Sequence, residues 1–220
     1  MPLPMVHLAV AHALKDEPFT GADKAAYYLG ANAPDSIHKR EGWTRADKDR
    51  SHLRDALPSQ PGYEERIRRA LALMEHTCGV PASDSFRAGY AVHLLTDIEW
   101  VRSFYTPCYL TRYRDDASPC LDVKAAYYND TDLADRHLYL ISPWRPEVFA
   151  LLSSIRGQAF EGLVFASEVE AWRDHILRFY DAMDLERYVS ARYILPQDID
   201  RFIERACRFI RAKLANISLL

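Results

Sequence analysis

Hydrophobic residues recur every three to four positions along most of the chain, the spacing of one face of an α-helix. In the first half, this pattern predicts helices over residues 3–15, 22–30, 45–57 and 63–79, a long helix from 83 to 104 or beyond, and a loop over 31–44. In the second half, it predicts helices over residues 121–140, 146–155, 167–183 and 196–214. Gly30 is a typical helix stop, and Pro146 and Pro196 stand where a first helical turn tolerates proline.

No segment shows the alternation typical of a β-strand, and the chain contains no repeat and no clear linker. The hydrophobic content of 49% and the charged content of 27% are those of an ordinary globular protein. We therefore expect a single all-α domain of about eight or nine helices that spans residues 1–220.

Charge and cysteine patterns exclude several classes of protein. The net charge is −3, and acidic and basic residues are interleaved without the basic patch of a nucleic-acid-binding domain. No apolar run is long enough for a transmembrane helix. We find no signal peptide and no CxxC pair among the four cysteines, so we expect reduced thiols and a cytoplasmic location. The oligomeric state cannot be predicted from these features.

Two polar residues interrupt the apolar face of the long central helix. His93 and Asp97 lie in a stripe with Phe86, Tyr90, Trp100 and Phe104. Burying such groups costs several kcal/mol unless they are paired or bound to a metal, about 2–7 kcal/mol for a polar group without a partner. The two residues could hydrogen-bond to each other or to another core residue. The alternative is a metal site.

Further candidate ligands occur in the N-terminal half. His7 lies in an apolar stripe of the first helix, Asp35 follows Pro34 in the predicted loop, and His52 lies one helical turn after Lys48. Alone, these would be a core histidine, a turn residue and a surface group. Together with His93 and Asp97 they predict one site built mainly from residues 1–104, with imidazole and carboxylate ligands that suit zinc and related divalent ions.

The pattern also predicts details of this site. Asp97 could bridge two ions about 3.5–4 Å apart. Lys48 could contact a substrate phosphate, whereas His38 and the other charges of residues 38–50 are interpreted as a solvated face. His12 lies round the first helix from His7 and is a weaker candidate.

Four segments, VHLAVA, YYLGANAPDS, KDRSH and GYAVHLLTDIEW, resemble the N-terminal half of the zinc-dependent phospholipase C family, in particular an intracellular branch of it. That family is all-helical and shares its fold with the S1/P1 nucleases. The resemblance covers about residues 1 to 104. It implies that His7 binds one zinc, that His52 and His93 bind a second, that Asp97 bridges them, and that Asp35 is the general base.

The chain departs from the secreted members of that family in two places. Those enzymes bind zinc through an N-terminal tryptophan, whereas this sequence begins Met1-Pro2. They hold a third zinc through a later HxxxE or HxxxD pair, whereas His137 and His175 are followed four residues later by Ile141 and Phe179. We therefore expect two ions rather than three.

A second acidic group lies further along the chain. It comprises Asp130, Asp132, Asp135 and His137. We interpret these residues as helix caps and surface groups, with a supplementary metal contact as the alternative.

The resulting hypothesis is a metal-dependent phosphoesterase with two divalent ions, zinc foremost, and a metal-activated water whose proton passes to Asp35. The expected partner is a small phosphate-containing substrate or a phospholipid head group. One alternative is a helical phosphohydrolase of the HD type, although the chain contains no His-Asp dipeptide. Another is a non-enzymatic helical protein with a structural metal site, which would be closed by four protein ligands.

Overall fold

The computed structural model describes residues 3–55, 62–74, 83–114 and 122–215. Within these ranges the regular structure is helical, with one isolated β-bridge between Phe160 and Val164 and no β-strand, so the all-α prediction is confirmed. The α-helices are α1 (Pro4–Ala13), α2 (Lys24–Gly30), α3 (Arg45–Ser51), α4 (Tyr63–Ala72), α5 (Ser83–Glu99), α6 (Leu110–Arg114), α7 (Val123–Ile141), α8 (Arg145–Ser154), α9 (Ala166–Phe179) and α10 (Pro196–Ala215).

The central helix extends beyond Phe104, as the prediction allowed. It continues as a π-helical segment, Trp100–Tyr109, and then as α6. The N–H of Leu110 donates to the carbonyl of Tyr105, five residues back. Pro107 lies inside this segment and has no N–H for the ordinary helical hydrogen bond, which fits the wider hydrogen-bonding pattern. This continuation includes α6, an α-helix that the hydrophobic pattern did not predict as a separate element.

Two other boundaries differ from the prediction. The predicted loop contains a 3₁₀ helix, Ala33–Lys39, with proline in its first turn. Helix α3 ends at Ser51 because Leu53 adopts the left-handed region with a φ of 52°. The predicted ends of α3 at residue 57 and of α4 at residue 79 lie outside the described residues.

Helix α5 lies at the centre of the fold and packs against α1, α2, α4 and α10. Its backbone approaches α2 most closely at two glycines. A Cβ atom added to Gly89 would lie 2.0 Å from the carbonyl oxygen of Tyr27, and one added to Gly30 would lie 2.0 Å from that of Phe86. Both contacts are impossible for a side chain, so glycine at these two positions is what lets α2 and α5 come this close.

Asp130 and Asp135 of α7 are buried, so the interpretation of these two acids as surface groups is wrong. Both are 1% exposed. Asp135 accepts hydrogen bonds from the backbone N–H groups of Met5 (3.2 Å) and Val6 (2.9 Å) at the start of α1. Asp130 accepts hydrogen bonds from the three backbone N–H groups of residues 192–194. These carboxylates therefore fix the ends of other elements, and Asp135 fixes the helix that carries His7.

No helix in the described ranges combines the length and hydropathy needed to cross a lipid bilayer.

Candidate metal centre

The structure brings together the five residues that the sequence singled out as metal ligands. They come from four elements: His7 from α1, Asp35 from the 3₁₀ helix, His52 from the end of α3, and His93 with Asp97 from α5. All five are buried. Asp35 was predicted in a loop, but it lies inside a helix and is itself buried.

Their potential ligand atoms form two overlapping groups, His7–His93–Asp97 and Asp35–His52–His93, each with its atoms within 4.8 Å of one another. Asp97 Oδ1 lies 3.7 Å from His7 Nε2, and Asp97 Oδ2 lies 3.5 Å from His52 Nε2. Two atoms bound to one tetrahedral zinc at about 2.0–2.2 Å are about 3.3–3.6 Å apart. The spacings at Asp97 are therefore close to those of atoms that share an ion.

The alternative in which His93 and Asp97 hydrogen-bond to each other does not fit the geometry. Their closest atoms, His93 Nε2 and Asp97 Oδ2, are 3.9 Å apart, beyond hydrogen-bond distance. Instead, His93 Nδ1 lies 2.9 Å from the carbonyl oxygen of Ala31, and His52 Nδ1 lies 3.0 Å from that of Lys48. A ring N–H that donates to a carbonyl leaves the lone pair of Nε2 directed at the centre of the site.

Several buried side-chain atoms of these residues have no hydrogen-bond partner in the described part of the chain. These atoms are Nε2 of His52 and His93, both ring nitrogens of His7, and Oδ1 of Asp97. Each such buried group costs about 1–3 kcal/mol if it stays unsatisfied. A bound ion is one of the few explanations for so many together. These buried clusters could therefore hold a metal ion.

The protonation states also suit metal binding. Burial is the main factor that lowers the pKa of His7 and His93, and for His7 the neighbouring His93 lowers it further. Both imidazoles are consequently neutral at neutral pH, the form that binds metals. Burial would raise the pKa of Asp35, but His52, His93 and Lys48 together hold it well below its ordinary range. Asp35 is therefore ionised.

One edge of the site is less buried than the rest. Lys48 Nζ lies 3.3 Å from Asp35 Oδ1 and 2.9 Å from His38 Nε2, and the His38 side chain is 30% exposed. The sequence analysis interpreted His38 as part of a solvated face. The structure instead places His38 at the edge of the site. Its position one turn after Asp35 in the 3₁₀ helix was the signal that could have identified it.

The chain after His52 is held by tertiary contacts. The hydroxyl of Tyr90 on α5 donates to the carbonyl of Ser51. Arg69 on α4 donates to the carbonyls of Leu53 and Asp55. A left-handed conformation is costly for leucine, so these bonds fix the turn that orients His52.

Among the other described histidines, His12 and His175 contact side chains outside these two groups. His12 contacts the Tyr28 hydroxyl at 3.0 Å and stacks on Trp144 with ring centroids 4.9 Å apart. Among the described residues, the groups able to hold a metal include neither His137 nor His175. His175 instead stacks on Trp172.

Comparisons with protein-family models, with curated proteins and with solved structures find no match for this chain. The resemblance to zinc-dependent phospholipases C thus rests on the four sequence segments and stays a prediction.

Proposed function

We propose that this protein is a metal-dependent phosphoesterase that hydrolyses a phosphate ester or phosphodiester. The observation that carries the proposal is the convergence of three imidazoles and two carboxylates in two overlapping buried groups, with Lys48 at the less buried edge. The Nε2 atoms of all three imidazoles lack a hydrogen-bond partner among the described residues. Imidazole and carboxylate together suit zinc first among the common divalent ions.

The donor set fits one or two such ions. Each oxygen of Asp97 lies near a different histidine, which suits a bridging carboxylate. His93 belongs to both groups, but one Nε2 atom binds only one ion. The ion in the other group would therefore be held by the remaining residues of that group and by water. A coordination position occupied by water distinguishes a catalytic zinc from a structural one.

A divalent ion bound here would polarise a phosphoryl oxygen and lower the pKa of a bound water toward neutrality. Asp35 is ionised, so its carboxylate can accept the proton of that water. Its low pKa makes it a weak base, and therefore the role of Asp35 as base rather than ligand needs a separate test. Lys48 places a positive charge 3.3 Å from Asp35, where it can neutralise a phosphate oxygen.

The resemblance to zinc-dependent phospholipases C supports the same reaction and the same residues. We therefore propose a small phosphate compound or a phospholipid head group as the substrate. The reaction is tested by elemental analysis of tag-free protein together with hydrolysis of bis(4-nitrophenyl) phosphate. We expect one to two zinc ions per chain and activity that a chelator abolishes and zinc restores. Protein without bound metal, or metal-loaded protein inactive on phosphomonoesters and phosphodiesters alike, would contradict the proposal.

The second candidate is a structural metal site in a helical protein that is not an enzyme. The burial of His7, His93 and Asp97, each at most 2% exposed, favours it. Metal exchange separates the two candidates. A closed four-ligand site should release its ion only when the protein unfolds, whereas a catalytic ion with an open position should exchange in the native state. The HD-type alternative gains no support, because no histidine in this chain is directly followed by aspartate.

A further inference from the structure

A cavity of about 440 Å³ lies beside α9 and collects basic side chains from two distant parts of the chain. Lys39 comes from the end of the 3₁₀ helix that carries Asp35, Arg178 comes from α9, and Arg187 follows α9. Phe179 and Tyr188 add aromatic walls. The cavity thus combines positive charge with apolar surface.

In the part of the chain that the structure describes, none of these three cations forms an ion pair with an acidic side chain. Nearby arginines differ, since Arg40 pairs with Glu168 at 2.6 Å and Arg173 pairs with Asp174 at 2.6 Å.

Asp184, the acid that lines the cavity, accepts a hydrogen bond from the backbone N–H of Glu186. The neighbouring His175 responds to the excess charge. Burial lowers its pKa, and Lys39 and Arg178 lower it further. The cavity is therefore electropositive.

Aromatic rings connect this cavity to the candidate metal centre. The Trp172 ring centroid lies 6.2 Å from that of His38, whose Nε2 touches Lys48. On its other side Trp172 stacks on His175 at 5.0 Å, and Lys39 Nζ lies 5.5 Å from the centre of the Trp172 ring. The Trp172 indole thus lies between His38 at the edge of the site and Lys39 and His175 of the basic cavity.

We propose that this cavity is an anion subsite that binds a second phosphate or carboxylate of the substrate. The inference rests on the proposed function, because it places the scissile phosphate at the Asp35–Lys48 edge. The substrate class is then a phosphoester with two anionic groups, joined by a spacer that lies along Trp172. Lys39 and Arg187 are specificity-determining residues in this arrangement, because their positive charges neutralise the second anionic group of the substrate.

The first test isolates the subsite from the metal. Tripolyphosphate is titrated into chelator-treated protein by calorimetry, and wild type is compared with the Lys39→Ala/Arg187→Ala double variant. Arg208→Ala is the matched control, since Arg208 is an exposed arginine on α10 outside the cavity. We expect about tenfold weaker binding in the double variant, no change in the control, and weakening by salt. Equal binding by wild type and double variant would overturn the subsite.

The second test measures the connection between the two positions. Alkane bisphosphonates of increasing length and methylphosphonate are titrated into zinc-loaded protein, and elemental analysis afterwards confirms that the zinc is still bound. We expect one narrow range of lengths to bind at least about tenfold tighter than methylphosphonate, with this gain absent in the double variant. A gain that is absent at every length, or that persists in the double variant, would overturn the bridging arrangement.

The outcomes distinguish this inference from the proposed function. If the zinc-loaded protein hydrolyses no phosphoester but tripolyphosphate binding still depends on Lys39 and Arg187, the proposed reaction fails and the anion subsite stands. If hydrolysis is found but both binding tests fail, the reaction stands and the subsite is refuted.

Discussion

At the scale of single residues, the candidate site is recognisable because its members break the apolar pattern. His7, His93 and Asp97 could be predicted from sequence, since each interrupts an otherwise apolar helical face. His38 could not be distinguished in the same way, because it lies among charged residues and its contact with Lys48 arises only when the 3₁₀ helix meets α3. Asp35 was also singled out, and the structure places it beside His52 and His93, but its burial depends on tertiary packing that the sequence does not display.

His7 and His12 on the same helix provide a matched comparison. The His7→Ala variant should lose bound metal, because His7 Nε2 lies 3.7 Å from Asp97 Oδ1 and has no hydrogen-bond partner among the described residues. The His12→Ala variant should keep it, because His12 contacts Tyr28 and Trp144 instead. Elemental analysis of the two purified variants checks this. Equal metal content in both would show that His7 is not a ligand.

Replacement of His93 and of Asp35 should have different effects. His93→Ala removes an imidazole at the overlap of the two groups and strands Asp97, so we expect loss of metal and a lower free energy of unfolding by about 3–5 kcal/mol.

Asp35→Asn keeps the shape but removes the negative charge beside Lys48 at a buried position, so it should lower the free energy of unfolding by about 1–3 kcal/mol. If Asp35 acts as the base rather than as a ligand, the variant should retain metal. If Asp35 is the base, hydrolysis should fall by about 10² or more. Full activity in the Asp35→Asn variant would exclude that role, and metal loss as complete as in His93→Ala would make Asp35 mainly a ligand.

At the scale of elements, the hydrophobic period predicted the type of nearly every helix but not all of the boundaries. Helix α3 ends early because Leu53 is held in a left-handed turn by Arg69 of α4 and by Tyr90 of α5 through Ser51. These partners are distant in sequence, so the local pattern could not reveal the boundary. The same holds for the π-helical continuation of α5, where the local signal is a single proline.

The close approach of α2 and α5 can be tested at Gly89. Gly89→Ala would force a methyl group to within 2.0 Å of the Tyr27 carbonyl oxygen, and the backbones would have to separate. We expect the free energy of unfolding to fall by about 1–3 kcal/mol or more and zinc affinity to fall as well, because His93 lies one turn further on.

Gly62→Ala is the matched control, since an added Cβ there has no atom within 4 Å. Denaturant unfolding and zinc titration of both variants provide the comparison. A Gly89→Ala protein as stable as the control would show that the helices separate at little cost.

At the scale of the whole molecule, the site depends on how distant elements dock. The sequence indicated which helix faces carry histidine and aspartate, but not the arrangement that brings α1 against α5. Part of that arrangement comes from α7, whose Asp135 binds the start of α1 and also accepts the hydroxyl of Tyr180. An acid with this role resembles a surface or cap residue in sequence, because its partners are backbone N–H groups and a tyrosine distant along the chain.

The burial of Asp135 predicts how the stability of the whole fold depends on pH. Burial raises the pKa of Asp135 from its ordinary 3.8 to about 7. Between these values the folded chain keeps a proton that the unfolded chain has released. The associated stability is therefore fully present below about pH 4 and is lost as the pH rises to about 7.

Asp135→Asn does not titrate at this position. In chelator, the free energy of unfolding of wild type minus that of the Asp135→Asn variant should therefore fall as the pH rises, by at most about 1.4 kcal/mol per pH unit within this window. The histidines titrate in both proteins and cancel in the difference. Denaturant unfolding at a series of pH values from 4 to about 8 measures it. A difference that stays constant or increases with pH would mean that Asp135 is ionised throughout, with its charge stabilised by Met5, Val6 and Tyr180.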